Sequence, residues 1–211
     1  MTTFEQYRSI PLDYSTIESH LKDLKFPKDK ISKMEKTGEL IRLKKGKYLI
    51  ARNIKDNPPS LELIANHLYG PSYVSFETAL SNHGWIPEHT YLIKSAISKR
   101  KKLFHTPLGS FEYIRVPEKY YSIGVLQYQS HDQYNYLIAS PEKALCDLII
   151  TTKGLRIQSV KSMHSYLTED LRLETDNLGN MSSEIVREAE EFGYKKQELL
   201  ILRKLIDNYK S

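Results

Sequence analysis

The alternation of apolar and polar residues between positions 40 and 50 predicts a β-hairpin near the start of the chain. Polar Arg42 and Lys44 alternate with apolar neighbours, Lys45-Gly46 supplies a turn, and Tyr48 begins a second extended run. Two short β-rich runs around a turn that contains glycine are typical of a hairpin. Two helical patterns precede it, so the predicted order is helix, turn, helix and hairpin.

The second of these helices is predicted to run from Pro27 to about Lys36 and to end at Gly38. At about 3.6 residues per turn, Ile31 and Met34 fall on one face, which is the predicted core side. The opposite face and its flanks carry Asp29, Lys30, Ser32, Lys33 and Lys36. This order of elements is that of a winged helix-turn-helix, whose second helix enters the major groove of DNA. The hairpin is then the wing.

The distribution of charge favours a phosphate-contacting surface on this N-terminal part. Residues 22–52 hold eleven Lys or Arg and four Asp or Glu, which is a net charge of +7. The whole chain carries +5, so the remaining residues carry −2. A basic surface of this kind is expected to contact DNA. The alternative interpretation is a lysine-rich face that only contacts water.

The predicted DNA contacts lie on the second helix and on the hairpin. Lysine mainly contacts phosphates, and no face is rich in the Arg or Asn side chains that read bases. Ser32, Lys33 and Arg42 are therefore the candidates for sequence-specific contacts. The full predicted set is Lys28, Lys30, Ser32, Lys33, Lys36, Arg42, Lys44, Lys45 and Lys47.

The segment Asn57-Pro-Pro-Ser60 predicts a domain boundary, because consecutive prolines block both helix formation and strand pairing. We predict a winged helix-turn-helix domain at 1–56 and an α+β domain at 57–211. The second domain is expected to contain antiparallel strands packed with helices, including a hairpin over 103–116. Its predicted helical tail covers about 157–168, 182–192 and 195–209.

Polar residues at the predicted element ends give further expectations. Ser60, Ser75 and Ser140 are predicted helix caps, and either Asp13 or Ser15 is expected to cap the first helix. Two more strands are predicted, at about 120–128 and 134–139.

Composition argues against several classes of protein. The chain is 40% apolar but has no apolar run long enough to span a membrane, and its first residues lack the pattern of a signal peptide. Cys146 is the single cysteine, so no internal disulfide can form and a reducing compartment is expected. We therefore expect a cytoplasmic protein without a membrane partner.

No catalytic, metal or cofactor site is predicted. The seven histidines show no metal-ligand spacing, the glycines form no phosphate-binding loop, and Cys146 lies among apolar residues and is predicted to be buried. The enzymatic alternative is a metal-dependent nuclease, which needs clustered carboxylates. Glu112 and Glu142 are the residues on which such an activity would depend.

Two surface features remain open at this level. The run Lys99, Arg100, Lys101 and Lys102 is a possible second basic patch, either a solvated loop or a contact for phosphates or a protein partner. The fifteen tyrosines are concentrated in the predicted strands, where tyrosine is commonly half-buried. A tyrosine cluster exposed on one sheet face would favour an interaction surface.

Several strings along the chain together carry a resemblance to a known family. They are Gly38–Tyr48, Leu63–Ser75 followed by Ala79-Leu80, Gly84 and Ile86-Pro-Glu88, and then Phe104–Tyr113, Ser140–Asp147 and Glu169–Arg172. These strings resemble AbiEi-type antitoxins of type IV toxin–antitoxin systems, with Gly38–Tyr48 similar to the wing of that family and Leu63–Ser75 similar to the start of its second domain. The resemblance extends from about residue 13 to 205. Lys47 departs from the family, where a small or apolar residue is more usual before the tyrosine.

The resemblance implies an antitoxin with two roles. Its winged helix would bind double-stranded DNA at its own operator and repress the operon, and its C-terminal domain would counteract a nucleotidyltransferase-type toxin. The chain has no heptad pattern, so a monomer or weak oligomer is expected. The alternatives are a DNA-binding regulator or a protein-interaction module without a toxin partner, because a fold alone does not determine function.

Overall fold

The computed structural model describes residues 4, 7, 10–51, 58–87, 91–129 and 134–210. Helices and two β-sheets pack together, which confirms the predicted α+β class. The helices are α1 (Tyr14–His20), α2 (Pro27–Lys36), α3 (Leu61–Leu68), α4 (Phe76–Asn82), α5 (Pro141–Thr151), α6 (Val160–Ser165), α7 (Ser183–Phe192) and α8 (Lys196–Lys210). The strands are β1 (Leu12–Asp13), β2 (Leu40–Lys44), β3 (Lys47–Ile50), β4 (Ser72–Val74), β5 (Leu92–Ile97), β6 (Lys102–Thr106), β7 (Gly109–Arg115), β8 (Val125–Gln129) and β9 (Asn135–Ala139).

The first sheet has the order β1-β3-β2 and packs against α1 and α2. The predicted hairpin is confirmed, because β2 and β3 pair antiparallel with Arg42 opposite Tyr48. Gly46 forms its turn with a φ of 79°, a backbone conformation that suits glycine. Strand β1 was not predicted, since two residues are too short to show an alternation. Asp13 does not cap α1 with its side chain as we expected.

The β2–β3 hairpin is covered on both of its faces. Leu40 and Tyr48 pack with α1 and α2, whereas Leu43 and Leu49 belong to the core of the rest of the chain. Leu49 has no exposed surface. The hairpin therefore lies between the two N-terminal helices and the larger sheet. The predicted boundary at residue 56 falls at 52–57, outside the described residues.

The second sheet has six strands in the order β6-β7-β5-β4-β9-β8. The predicted hairpin over 103–116 is confirmed as the antiparallel pair β6–β7. The prediction of antiparallel strands is confirmed for β4–β5, β6–β7 and β8–β9, but the sheet is mixed, because β5 and β7 are parallel and so are β4 and β9. After β5 the chain places β6 at the edge, and β7 returns between them in the direction of β5. Local alternation does not reveal such a crossover.

Strand β4 was missed, and a strand over 120–128 was predicted too early. Residues 118–124 form turns, and β8 begins only at Val125. Gly124 has a φ of 59°, and a Cβ there would lie 2.9 Å from Ile185. A residue with a Cβ would therefore not fit at this position, where the turns end and β8 begins. The tail is confirmed by the α-helical and other helical segments between Val160 and Lys210.

Helix α5 runs through the centre of the second core. Ser140 caps it by accepting a hydrogen bond of 3.2 Å from the Lys143 N–H, as predicted. Lys143 and Asp147 are fully buried on this helix, with Nζ and Oδ1 3.3 Å apart. Tyr73 and Ser75 donate hydrogen bonds to the other carboxylate oxygen, of 3.0 and 2.5 Å. We call these four side chains the buried ion-pair network.

Ser75 occupies the N-cap position of α4, but its hydroxyl makes no cap hydrogen bond. It donates to Asp147 instead, because that buried carboxylate offers a charged acceptor. Among the described residues, no helix is long and apolar enough to cross a membrane.

Candidate nucleic-acid interface

The outer face of α2 is a basic surface. Ile31 and Met34 are buried against α1 and the first sheet, as predicted. The exposed residues of the helix are Lys28, Asp29, Ser32, Lys33 and Lys36. At about 100° per residue they occupy a continuous arc on the side opposite the core. Lys30 is half-buried at the edge of that arc.

The local sequence determines where this helix begins and ends. Pro27 occupies the first position, where its missing N–H leaves no intrahelical hydrogen bond unmade. Gly38 follows with a φ of 75°, so the chain can reverse into β2. The two lysines of the last turn, Lys33 and Lys36, lie near the partially negative end of the helix.

The segment between α1 and α2 adds two exposed lysines that were not among the predicted contacts. Lys22 and Lys25 lie in this turn. Lys25 Nζ is 5.5 Å from the ring centroid of Phe26, and that ring is 61% exposed. Both lysines lie within the basic window of the sequence. They were omitted because the prediction considered only the helix face and the hairpin.

Two hairpin cations are available at the surface. Lys45 is exposed at the turn. Arg42 is also exposed, and its Nη1 lies 3.7 Å from Glu35 Oε1 of α2. A solvent-exposed ion pair at this distance contributes little, so the guanidinium can exchange that partner for a phosphate or a base edge.

The other two hairpin cations are engaged by the protein. Lys44 Nζ donates to the Leu68 carbonyl at the end of α3 and lies 5.5 Å from the Phe104 ring centroid. Burial lowers the pKa of Lys44, and nearby Lys47 lowers it further. The Lys47 side chain is 14% exposed and lies 3.2 Å from Asp13 Oδ1. These contacts attach the hairpin to its neighbours.

The second basic patch folds over Tyr69. The Tyr69 hydroxyl donates to the Arg100 carbonyl, and Lys102 Nζ lies 5.7 Å from the Tyr69 ring centroid. Lys99 Nζ donates to the Gly70 carbonyl over 3.1 Å. The side chains of Arg100 and Lys101 are exposed. The run is therefore attached to the Tyr69–Gly70 segment by Lys99 and Lys102 at its ends.

The two glutamates considered for catalysis lie on different elements, α5 and β7. Glu142 is buried and accepts a 2.7 Å hydrogen bond from the Ser182 N–H, while Glu112 lies on β7. In the described ranges, no three His, Cys, Asp or Glu side chains lie close enough to hold a metal ion. Cys146 is fully buried as predicted, and burial raises the pKa of its thiol.

No model of a known protein family matches this chain, and no curated protein matches it either. The likeness to AbiEi-type antitoxins therefore rests on the sequence strings themselves.

Proposed function

We propose that residues 12–50 act as a winged helix-turn-helix and that the chain is a DNA-binding transcriptional regulator. The observation that carries this proposal is the exposed basic arc of α2, on a helix preceded by a second helix and followed by a hairpin. A convex helix that presents cations to solvent fits the major groove.

The exposed lysines and Ser32 contact different parts of the DNA in this proposal. Lys28 and Lys36, near the two ends of α2, contact phosphates on either side of the groove. Ser32 and Lys33, in the middle, reach base edges, where a hydroxyl and an ammonium find acceptors. Lys45 contacts a neighbouring phosphate from the hairpin turn. Lys22 and Lys25 add phosphate contacts from the preceding turn.

The contacts of Lys44 and Lys47 favour a different role for these two residues. Because their ammonium groups bind Leu68 and Asp13, they hold the hairpin in place rather than reach DNA. The hairpin then supports α2 from behind, and only its turn approaches the duplex.

The resemblance to AbiEi-type antitoxins supports a second part of the proposal. The chain represses its own operon, and its C-terminal part counteracts a nucleotidyltransferase-type toxin. A regulator without a toxin partner is the alternative. Co-expression with a nucleotidyltransferase encoded beside this gene distinguishes them, because restored growth supports the antitoxin role and unchanged toxicity supports the alternative.

The DNA-binding part is tested by titrating the protein into its own upstream DNA and into scrambled DNA at two salt concentrations. We expect preferential binding to the upstream DNA, with a salt slope of about −0.9 for each phosphate contacted. The variant Lys33→Ala/Lys36→Ala should bind about tenfold more weakly or worse, with a smaller slope. Equal binding of both DNAs would argue against operator recognition.

The matched control removes two exposed lysines from the C-terminal helices, Lys161→Ala/Lys204→Ala. It has the same net charge as the α2 variant. A loss of affinity shared by both variants would mean that only overall charge matters.

A further inference from the structure

A wide groove of about 1010 Å³ lies at the edge of the six-stranded sheet, far along the chain from α2. Its walls come from β6, β7, the end of α5 and the connection between α7 and α8. Five cations line it: Arg100, Lys101, Lys102, Arg115 and Lys153. All five are exposed, and among the described residues that line the groove Glu112 is the one carboxylate.

Several basic side chains elsewhere in the fold are paired with carboxylates. Lys94 pairs with Glu77, Lys143 with Asp147 and Arg203 with Glu190. In the described part of the chain, no carboxylate forms an ion pair with any of the five groove cations. Mutual repulsion between so many cations is unfavourable without an anion, so the groove is electrostatically suited to a polyanion.

The groove is separate from the surface around α2. Along β6 and β7, Phe104 and Tyr113 share one face of the sheet, on the side of the hairpin and α3. Leu103 is paired with Glu112 on the opposite face, where the groove lies. Leu103 and Glu112 therefore face the groove from the side opposite the hairpin. Lys102 is paired with Tyr113 on the hairpin side and lines the groove at the edge of the sheet.

An exposed tyrosine stands beside the cations. Tyr194, in the connection between α7 and α8, is 61% exposed and lines the groove. Its neighbours hold this connection firmly, since Lys195 Nζ donates to the Thr152 carbonyl after α5. Gly193, just before Tyr194, has no room for a side chain, because a Cβ there would lie 2.6 Å from the Ala189 carbonyl oxygen. These contacts fix the backbone on both sides of Tyr194, next to the groove.

We propose that this groove binds single-stranded nucleic acid, with phosphates on the five cations and a base stacked on Tyr194. Cationic grooves with exposed aromatic side chains are the usual design for this ligand, since every base has a π-face. Unpaired bases can reach a ring inside a groove, whereas the bases of a duplex are stacked on one another. The exposed Leu103 side chain provides further apolar surface for the bases.

The test is fluorescence anisotropy with labelled oligothymidylate and oligouridylate of about 16 nucleotides. We expect binding with a salt slope of about −3.5 if each of the five cations contacts one phosphate. Arg115→Glu/Lys153→Glu should weaken binding at least tenfold. Glu112→Gln should strengthen it, because a carboxylate that repels phosphates is removed.

The aromatic contact is tested separately from charge. Tyr194→Ala should weaken binding about 5- to 100-fold, in line with the loss of one stacked base, and Tyr194→Phe should restore it. Tyr91→Ala is the matched control, since Tyr91 is 97% exposed outside the groove and should have no effect. Equal behaviour of the Tyr194→Ala and Tyr91→Ala variants would overturn the stacking part of the proposal.

Two competitors distinguish the class of ligand. In the Lys33→Ala/Lys36→Ala variant, whose duplex binding through α2 is weakened, preference for duplex DNA, or equal competition by an oligoglutamate of matched charge, would overturn the proposal of a single-stranded ligand. Lys33→Ala/Lys36→Ala should leave oligonucleotide binding unchanged, whereas Arg115→Glu/Lys153→Glu should leave operator binding largely intact. A failure of the single-strand proposal can therefore be distinguished from a failure of the proposed regulator function.

Discussion

Lys143 Nζ lies 3.3 Å from Asp147 Oδ1, one helical turn along α5, and neither side chain has any exposed surface. The ammonium also donates to the Tyr120 backbone carbonyl over 2.9 Å and lies 3.0 Å from the centroid of the Tyr120 ring. The carboxylate accepts hydrogen bonds from Tyr73 and Ser75. The network thus connects α5 to the segments around β4 and before β8, in the middle of the core.

Removal of the ammonium should therefore destabilise the protein strongly. Lys143→Met leaves Asp147 as a buried charge without its cation, and we expect a loss of about 3–5 kcal/mol in the free energy of unfolding, measured with urea. Lys161→Met, on the exposed surface of α6, should change it by about 0.5 kcal/mol at most. Similar values for both variants would show that the ion pair contributes nothing.

Two neighbouring tyrosines provide a matched comparison of a paired and an unpaired hydroxyl. The rings of Tyr73 and Tyr121 lie 5.0 Å apart, and only the Tyr73 hydroxyl has a hydrogen-bond partner among the described residues. Tyr73→Phe removes a hydrogen bond to a carboxylate and should cost about 1.5–3 kcal/mol. Tyr121→Phe should be neutral or stabilising. Equal effects of the two variants would show that ring packing alone determines stability here, because Tyr→Phe leaves both rings in place.

The buried tyrosines should make the fold sensitive to alkaline pH. Burial raises the pKa of Tyr121 to about 12, and burial also raises the pKa of Tyr73 and Tyr120. In the unfolded chain these hydroxyls lose their protons near pH 10. The contribution of the protonated tyrosines to the free energy of unfolding is therefore complete below about pH 10 and is lost as pH rises towards 12 and above. Burial lowers the pKa of Lys143, which acts in the opposite direction.

We therefore expect the free energy of unfolding to fall between about pH 10 and about pH 12, measured by urea titration together with tyrosinate absorbance. The tyrosines with a raised pKa are more numerous than the lysines with a lowered one, so they determine the sign. Constant or rising stability across this interval would contradict the expectation.

Adjacent lysines of the hairpin should behave differently. Lys44→Ala removes the hydrogen bond to the Leu68 carbonyl and the contact with Phe104, and it should cost about 1–2 kcal/mol in the free energy of unfolding. Lys45→Ala, at the exposed turn, should lie within about 0.5 kcal/mol of the wild type. Operator binding should respond to the Lys45 variant at unchanged stability. If both variants lowered the free energy of unfolding equally, Lys44 could not be distinguished from Lys45 as the residue that attaches the hairpin.

Local sequence was sufficient for the helix on which the candidate DNA interface depends. The spacing of Ile31 and Met34 indicates its buried side, Pro27 its start and Gly38 its end. These signals act over a few residues, and each depends on backbone geometry that is the same in any protein. The exposed lysines of α2 were therefore predictable before any tertiary contact was known.

The groove around Tyr194 could not be predicted in the same way. Its cations come from residues 100–102, 115 and 153, which approach one another only because β7 lies between β5 and β6 and α5 ends beside them. The sequence shows the basic run but not its partners. An isolated tyrosine after a glycine carries no signal of an aromatic platform.

The sequence by itself determined the N-terminal order of helix, helix and hairpin, the buried face of α2 and the caps at Ser60 and Ser140, because these depend on contacts within one or two turns of chain. Only the tertiary structure decided the partners of Lys44 and Ser75. These partners lie 24 and 72 residues away, at Leu68 and Asp147. A polar side chain binds the best acceptor that folding brings near it. A buried carbonyl or carboxylate is a better acceptor than the groups available within the same few residues of chain.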